Sequence, residues 1–246
     1  TADSIMVGNF VGSNALAAVG ASSSMIYLLI AFSQGAAVGA GVIVAQYLGA
    51  RDKKSDSDAV HTSLVIAGIL GIVLTIAGIV LSRQLLEWMK TPDEVMEQAV
   101  TYFRLYSAGM FFGIVYNMAA GILNAAGNSK KSLLYLAVAS FTNIVLDILF
   151  IAILDMGVAG AAIATDISQA VSCILSMAFL MRVKDSYQVS LKKLKIHRRI
   201  AGSMIRVGLP TGIQNMVISL SNVLVQTSVN GFGAAAMAGY TAYLKV

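Results

Sequence analysis

The chain has 246 residues, 57% of them hydrophobic and only 12% charged, with a mean hydropathy of +0.78; a soluble domain carries roughly 25% charged residues, so that class is excluded and a membrane protein is predicted. The net charge of +5 does not point to nucleic acid, because seven of the seventeen Lys and Arg fall between Arg182 and Arg199, beside an apolar run, where they report topology. Cys173 is the only cysteine and lies in an apolar segment, which leaves no disulfide framework and no CxxC metal site and reads as core.

The first residues, to about Gly8, form a short apolar span. They carry neither an initial Met nor a basic n-region, so no signal peptide is expected and the start reads as cut. Spans follow near 14–48, 58–82, 97–122, 132–153, 158–181 and 207–229, and an eighth begins near Ala236. Runs such as Thr62 to Ser82 meet the roughly 20 residues that cross the hydrocarbon core, so the chain is polytopic. Each span is predicted helical, because a helix satisfies its own backbone groups where water is absent and no short alternating strands are present to build a barrel. The 14–48 segment, at about 1.5 Å per residue, is about 50 Å long and has to tilt or project. Its Gly35 to Gly41 stretch predicts close helix packing, and Pro210 predicts a kink near the start of the seventh span.

The loops alternate in charge. Arg51, Lys53, Lys54, Lys130, Lys131 and the seven residues of 182–199 make twelve on one side, against Arg83 and Lys90 on the other. By the positive-inside rule the loops 49–57, 124–131 and 182–199 are cytoplasmic, and those near 9–13, 83–94 and 154–157 face outward. Residues 1–21 also align with 222–242: Asn9 on Asn230, Gly12 on Gly233, Ala15 on Ala236, Ala17 on Ala238 and Ala21 on Ala242. Six spans separate the copies, so both cross the membrane in the same sense, as in transporters with parallel repeats. The expected architecture is an all-α polytopic membrane protein. Residues 1–181 form a six-helix N-terminal lobe with a truncated first helix, 182–199 a basic cytoplasmic linker and hinge, and 200–246 the start of a second lobe.

Asp147 interrupts an otherwise apolar span. An acid within hydrocarbon costs a few kcal/mol or more and ordinarily marks an ion or proton path. Asn143 lies one helical turn earlier on the same face. Counting inward from the outer ends at about 1.5 Å per residue puts Asp3, Tyr102, Asn143, Asp147, Thr165 and Asp166 at a common depth of roughly 7–15 Å. That layer of acids, an amide and hydroxyls is what a proton or small-cation site requires. Asp166 points about 100° away from Thr165, so at most one of the two fully faces a shared cavity. Asn143 and Tyr102 also fit interhelical hydrogen bonding, and Asp3 a polar residue at a frayed end. His61 and His197, near cytoplasmic helix ends, are expected to be solvated, and Arg104 to snorkel outward. The twelve Met residues suit a core or a promiscuous apolar wall. Gly39-Ala-Gly41 lacks the preceding strand of a dinucleotide loop, and no HExxH, Walker or GxSxG pattern occurs, so no cofactor and no ATP-driven chemistry is expected.

These residues resemble the bacterial branch of the multidrug and toxic compound extrusion (MATE) family. The resemblance rests on Asp3-Ser-Ile-Met-Val-Gly8, Leu16-Ala-Ala-Val-Gly20, Gln46-Tyr-Leu-Gly-Ala50, Ile122 to Lys131, Asn143-Ile-Val-Leu-Asp147, Gly157 to Thr165 and Gly208-Leu-Pro-Thr-Gly212. It implies two six-helix lobes around a central cleft, in a bacterial cytoplasmic membrane. It also implies export of cationic or amphipathic small molecules, coupled to inward movement of H⁺ or Na⁺. The family's coupling acid matches Asp3, and its partners match Tyr102, Asn143, Asp147 and Thr165; the expectation is that Asp147 and Asp3 either bind a proton or share Na⁺ with Asn143 and Thr165. The repeat places Leu224 opposite Asp3, so the acid belongs to one lobe. Asn124 stands where the family often has Arg, Ser132 where it has Pro, and Asp166 where it commonly has an apolar residue. The expected partners are small molecules and membrane lipid, with no nucleic acid and a monomeric state. A flippase for lipid-linked sugars is the alternative and would want Arg or Lys within the spans, where only Arg104 and Arg206 come near. An enzyme is not expected, since no nucleophile-base pair or ligand cluster is found, and a non-transporting scaffold is the remaining rival.

Overall fold

The computed structural model describes residues 2–88, 91 and 93–230. Its helices are α1 (Ala2–Phe10), α2 (Ser13–Gly49), α3 (Lys53–Trp88), α4 (Asp93–Ala125), α5 (Ser129–Asp147), α6 (Gly157–Arg182) and α7 (Arg198–Asn230). A π-helical stretch, Ile148–Ile153, continues α5, and no strand occurs among the described residues. The eighth span near Ala236 and most of the second copy of the repeat lie outside the described residues. Among the described residues five helices, α2 to α6, are long and apolar enough to cross a membrane, α5 together with its π stretch.

Hydropathy located these helices but understated their ends. The seventh begins at Arg198, not near 207, so Pro210 lies well inside α7. α3 likewise starts at Lys53, five residues before its apolar run. Polar residues outside the bilayer continue a helix as readily as apolar ones inside it, and a hydropathy boundary marks the membrane rather than the helix. At about 1.5 Å per residue, α2 and α3 exceed 50 Å and stand well clear of a roughly 30 Å hydrocarbon core.

α2 and α4 form the middle of the bundle, with α3 and α6 packed on α4, α7 on α2 and α5 on α6. One apolar cluster, including Val44, Val60, Met118, Ile122 and Leu180, holds the end of the bundle next to the basic 182–199 segment. A second, including Val7, Val19, Leu86, Phe103 and Ile151, holds the opposite end. The outward faces of α3 (Ile69, Ile72, Val73, Ile76, Val80) and α5 (Leu133, Leu134, Phe141) are exposed and apolar, which is the proper surface for lipid and an aggregation hazard in water.

The glycines of Gly35–Gly41 do bring backbones together, Gly35 and Gly39 with α7 and Gly41 with Gly121 of α4. A Cβ on Gly39 would sit 2.5 Å from the Met204 carbonyl oxygen and 2.7 Å from Gly208 Cα, and one on Gly35 would collide with Gly212. A small-xxx-small pair on each helix lets the two backbones touch.

The linker is strapped down rather than free. The Ser186 hydroxyl donates to Asp56 Oδ2, the Ser190 N–H donates to His61 Nε2 at 3.0 Å, and the His197 N–H donates to Thr62 Oγ1 at 3.2 Å. Asn128 Nδ2 donates to the Tyr187 hydroxyl at 2.7 Å; burial first, then nearby Asp185, raises that phenol above its ordinary range, so it stays neutral as an acceptor. The expectation of a solvated His61 is therefore corrected. It is 2% exposed, with Nδ1 2.7 Å from the Ser57 carbonyl. Those two bonds require the neutral Nδ1–H tautomer, because Nε2 must accept. Replacing His61 with Phe should cost about 1–3 kcal/mol by stranding the Ser190 N–H. Amide hydrogen exchange across 186–197 would then accelerate, whereas unchanged protection there would show that the strap does not hold the linker.

Candidate functional site

α1, α5 and α6 meet in the half of the bundle away from the basic 182–199 segment, and their polar residues converge there. The Thr165 hydroxyl donates to Asp3 Oδ2 at 2.8 Å and accepts from Asn143 Nδ2 at 3.4 Å. One threonine thus joins three helices, with both hydrogen-bonding roles of its hydroxyl in use. Asp147, a turn beyond Asn143, is fully buried, and among the described residues neither of its carboxylate oxygens has a hydrogen-bond partner. Its ionisable neighbour is Asp3. The π stretch that begins at Ile148 widens the helix directly after this acid, a distortion that recurs at functional sites.

Asp3, Asn143 and Thr165 line a cavity of about 310 Å³, with Gln34, Asn117 and Gln169 among its other polar walls. Asp3 and Thr165 also border a smaller cavity of about 160 Å³, lined by Tyr102, Tyr106 and Tyr27. Tyr102 is 3% exposed, with its ring centroid 6.1 Å from that of Tyr106, and lies within electrostatic reach of Asp3 and Asp147. Tyr102, Asn143, Asp147, Thr165 and Asp3 are thereby brought into one neighbourhood.

Asp166 is not part of it. Its carboxyl packs against α4 at Gly109, where a Cβ would collide with it, and Oδ1 is buried without a partner among the described residues. Thr165 faces the cavity and Asp166 turns toward α4, the 100° separation of adjacent helical residues dividing them as geometry requires. Gly113, one turn beyond Gly109, leaves matching room for Gln169, whose Nε2 donates to the Tyr106 hydroxyl at 3.2 Å.

Tyr106, Gln169, Gln34 and Asn117 were missed by the sequence reading. The available signal was the i+4 spacing that continues Tyr102 to Tyr106 and Thr165 to Gln169 on one face. Neutral polar groups are common enough in membrane helices that spacing alone does not single them out. The lining is suited to a hard cation: carboxylate, amide and hydroxyl oxygens, with no Lys or Arg among the described residues of the larger cavity.

The MatE family model matches residues 1–149. The probable multidrug resistance protein YpnP of Bacillus subtilis (strain 168) is 31% identical over 244 residues, covering 99% of this chain and 54% of that protein. The crystal structure of MATE in the bent conformation superposes with a TM-score of 0.89 at 32% identity, over 99% of this chain and 55% of the other. The inward-facing conformation of a multidrug resistance MATE family transporter of the MOP superfamily gives 0.83 at 34% identity, over 89% and 50%. The chain spans about half the length of the curated relatives it matches.

Proposed function

The chain belongs to the MatE family, a family of membrane transporters, and from that premise we propose that it is the ion-coupling part of an exporter of cationic or amphipathic small molecules, driven by inward movement of H⁺ or Na⁺. In this reading residues 1–181 are the coupling lobe, 182–199 the linker and 200–246 the opening of a second lobe. One observation carries it: Asp147 is wholly buried beside a second acid, Asp3, and among the described residues neither of its carboxylate oxygens is within hydrogen-bond geometry of a partner.

Two adjacent carboxylates in a low-dielectric setting repel unless a positive charge joins them. A proton supplies it by letting one carboxyl donate to the other. Na⁺ supplies it through oxygens of Asp3, Asp147, Asn143 and Thr165. Either draws α1, α5 and α6 together and makes the ion-loaded and ion-free bundles different in energy. Only such a difference lets an ion gradient shift the equilibrium between outward- and inward-open states. Transport follows if the drug favours the ion-free arrangement, so that ion binding expels it outward.

A flippase would need cations for the phosphates. Arg104 is held to Ser82 Oγ at 2.8 Å, away from both cavities, and the larger cavity offers an acid instead.

The test is efflux of a fluorescent cation by the full-length protein in vesicles, with pH and sodium gradients imposed separately. Export driven by one of them supports the proposal, and export indifferent to both overturns it. Thr165→Val should raise the driving-ion concentration for half-maximal export by about tenfold or more, as expected for losing a hydrogen bond to a charged group, while Thr165→Ser stays within about threefold. Equal behaviour of the two would remove Thr165 from the site.

A further inference from the structure

A groove of about 410 Å³ runs between α2, α3 and α7, with the buried Ala40, Met118 and Met204 at its floor and Ile69, Val73, Ile205 and Leu209 along its rims. The four rim residues are 45–55% exposed. It has no part in the coupling site. Ala36, also in its wall, lies two residues, about 200° around α2, from Gln34, which lines the larger polar cavity, so the groove opens away from that cavity, toward the membrane.

Its cytoplasmic end is fixed where α3 meets the entrance to α7. There Thr62 accepts from the His197 N–H at 3.2 Å and donates to the Lys195 carbonyl at 3.3 Å. Ile69 is seven residues beyond Thr62 and Ile205 eight beyond His197, so the rims start about 10–12 Å deeper on both helices. Lys195, Arg198 and Arg199 are exposed around the mouth. The acid there, Asp58, is turned to His197, with Oδ1 3.8 Å from Nε2. Just before the mouth, Leu191, Leu194 and Ile196 are exposed among Lys192, Lys193 and Lys195. That interleaving suits a segment lying in an anionic membrane interface, with apolar side chains buried and ammonium groups at headgroup level.

We infer that the α2–α3–α7 groove and the basic residues at its mouth form a binding site for one anionic phospholipid of the cytoplasmic leaflet. An acyl chain fills the apolar groove, and the phosphate sits at Arg198 and Arg199. The charge asymmetry of the loops sets this end in the leaflet where anionic lipid attracts juxtamembrane cations, and basic pockets between helices on that side hold such headgroups. The volume falls in the range of ligand sites, roughly 300–1,000 Å³.

The experiment titrates the purified full-length protein with phosphatidylglycerol and with phosphatidylcholine of the same chains, counting bound lipids by native mass spectrometry. Phosphatidylglycerol should bind about tenfold tighter or more, and R198Q/R199Q should bring it to the phosphatidylcholine level, since each cation near the surface contributes to the attraction. Position is read from Ile69→Trp, whose added fluorescence should be quenched by phosphatidylglycerol with brominated chains and much less by the brominated phosphatidylcholine. Leu209→Trp gives the same reading from the opposite rim should the first variant be unstable. Equal affinities, a preference that survives R198Q/R199Q, or Trp reporters untouched by brominated lipid would overturn the site. The last result would mean that another part of the protein or a second copy covers the groove.

Discussion

Asp147→Asn in the full-length protein should reduce ion-driven export to background, about a hundredfold or more below wild type, while leaving the protein folded. The substitution preserves shape and removes the one property the proposed mechanism uses. Asn cannot take up and release a proton, and its neutral amide offers Na⁺ no charge. Asp3→Asn should do the same, because the site depends on two carboxylates facing each other rather than on either alone. Stability should move the other way. Asp147 is buried with no hydrogen-bond partner among the described residues, so neutralising it relieves a desolvated group, and the apparent stability should be unchanged or higher by about 1–3 kcal/mol. Thermal unfolding of the detergent-purified variant and dye efflux from cells measure the two effects separately. Wild-type efflux from either variant would end the proposal, and a collapsed melting temperature would assign Asp147 a structural role.

The second large effect is expected at the crossing of α2 and α7. Gly39→Ala should destabilise the protein by about 3 kcal/mol or more, because the methyl group would meet backbone on both sides, 2.5 Å from the Met204 oxygen and 2.7 Å from Gly208 Cα, and backbone cannot rotate away. Gly20→Ala, on the same helix, is the control: nothing lies within 4 Å of its added Cβ. There the higher helix propensity of Ala should stabilise by about 0.5–1 kcal/mol. The two variants carry the same chemical change in one helix and are expected to shift the melting temperature in opposite directions. Equal shifts would mean that α2 and α7 do not touch as described.

Much of this molecule was legible without coordinates because the bilayer is a demanding solvent. Long apolar runs have to be helices, and the crowding of Lys and Arg into alternate loops orients them. An acid such as Asp147 stands out because so few are tolerated there. The regular rise of a helix then converts sequence position into an expected depth, which is how Asp3, Asn143, Asp147 and Thr165 were grouped into one layer, and in the structure Thr165 is hydrogen-bonded to both Asp3 and Asn143. Depth is one coordinate of three. The choice between Thr165 and Asp166 is rotational, and it was settled by Gly109 and Gly113, whose missing side chains make room on α4 for Asp166 and Gln169.

Composition and periodicity, taken alone, determined the helical membrane class, since long apolar runs follow from local chemistry against lipid, and the sense of the spans, the cytoplasmic side and the level of the acids are expectations drawn from the same chemistry. Tertiary structure decided what required knowledge of a neighbour. His61 is buried because Ser190 returns across it from 129 residues away. Gly35 and Gly39 serve α7 because Gly208 and Gly212 arrive opposite them. Asp147 lacks a partner among the described residues because the packing of other helices encloses it. These are contacts between segments remote in sequence, and no window along one helix contains the atoms that create them.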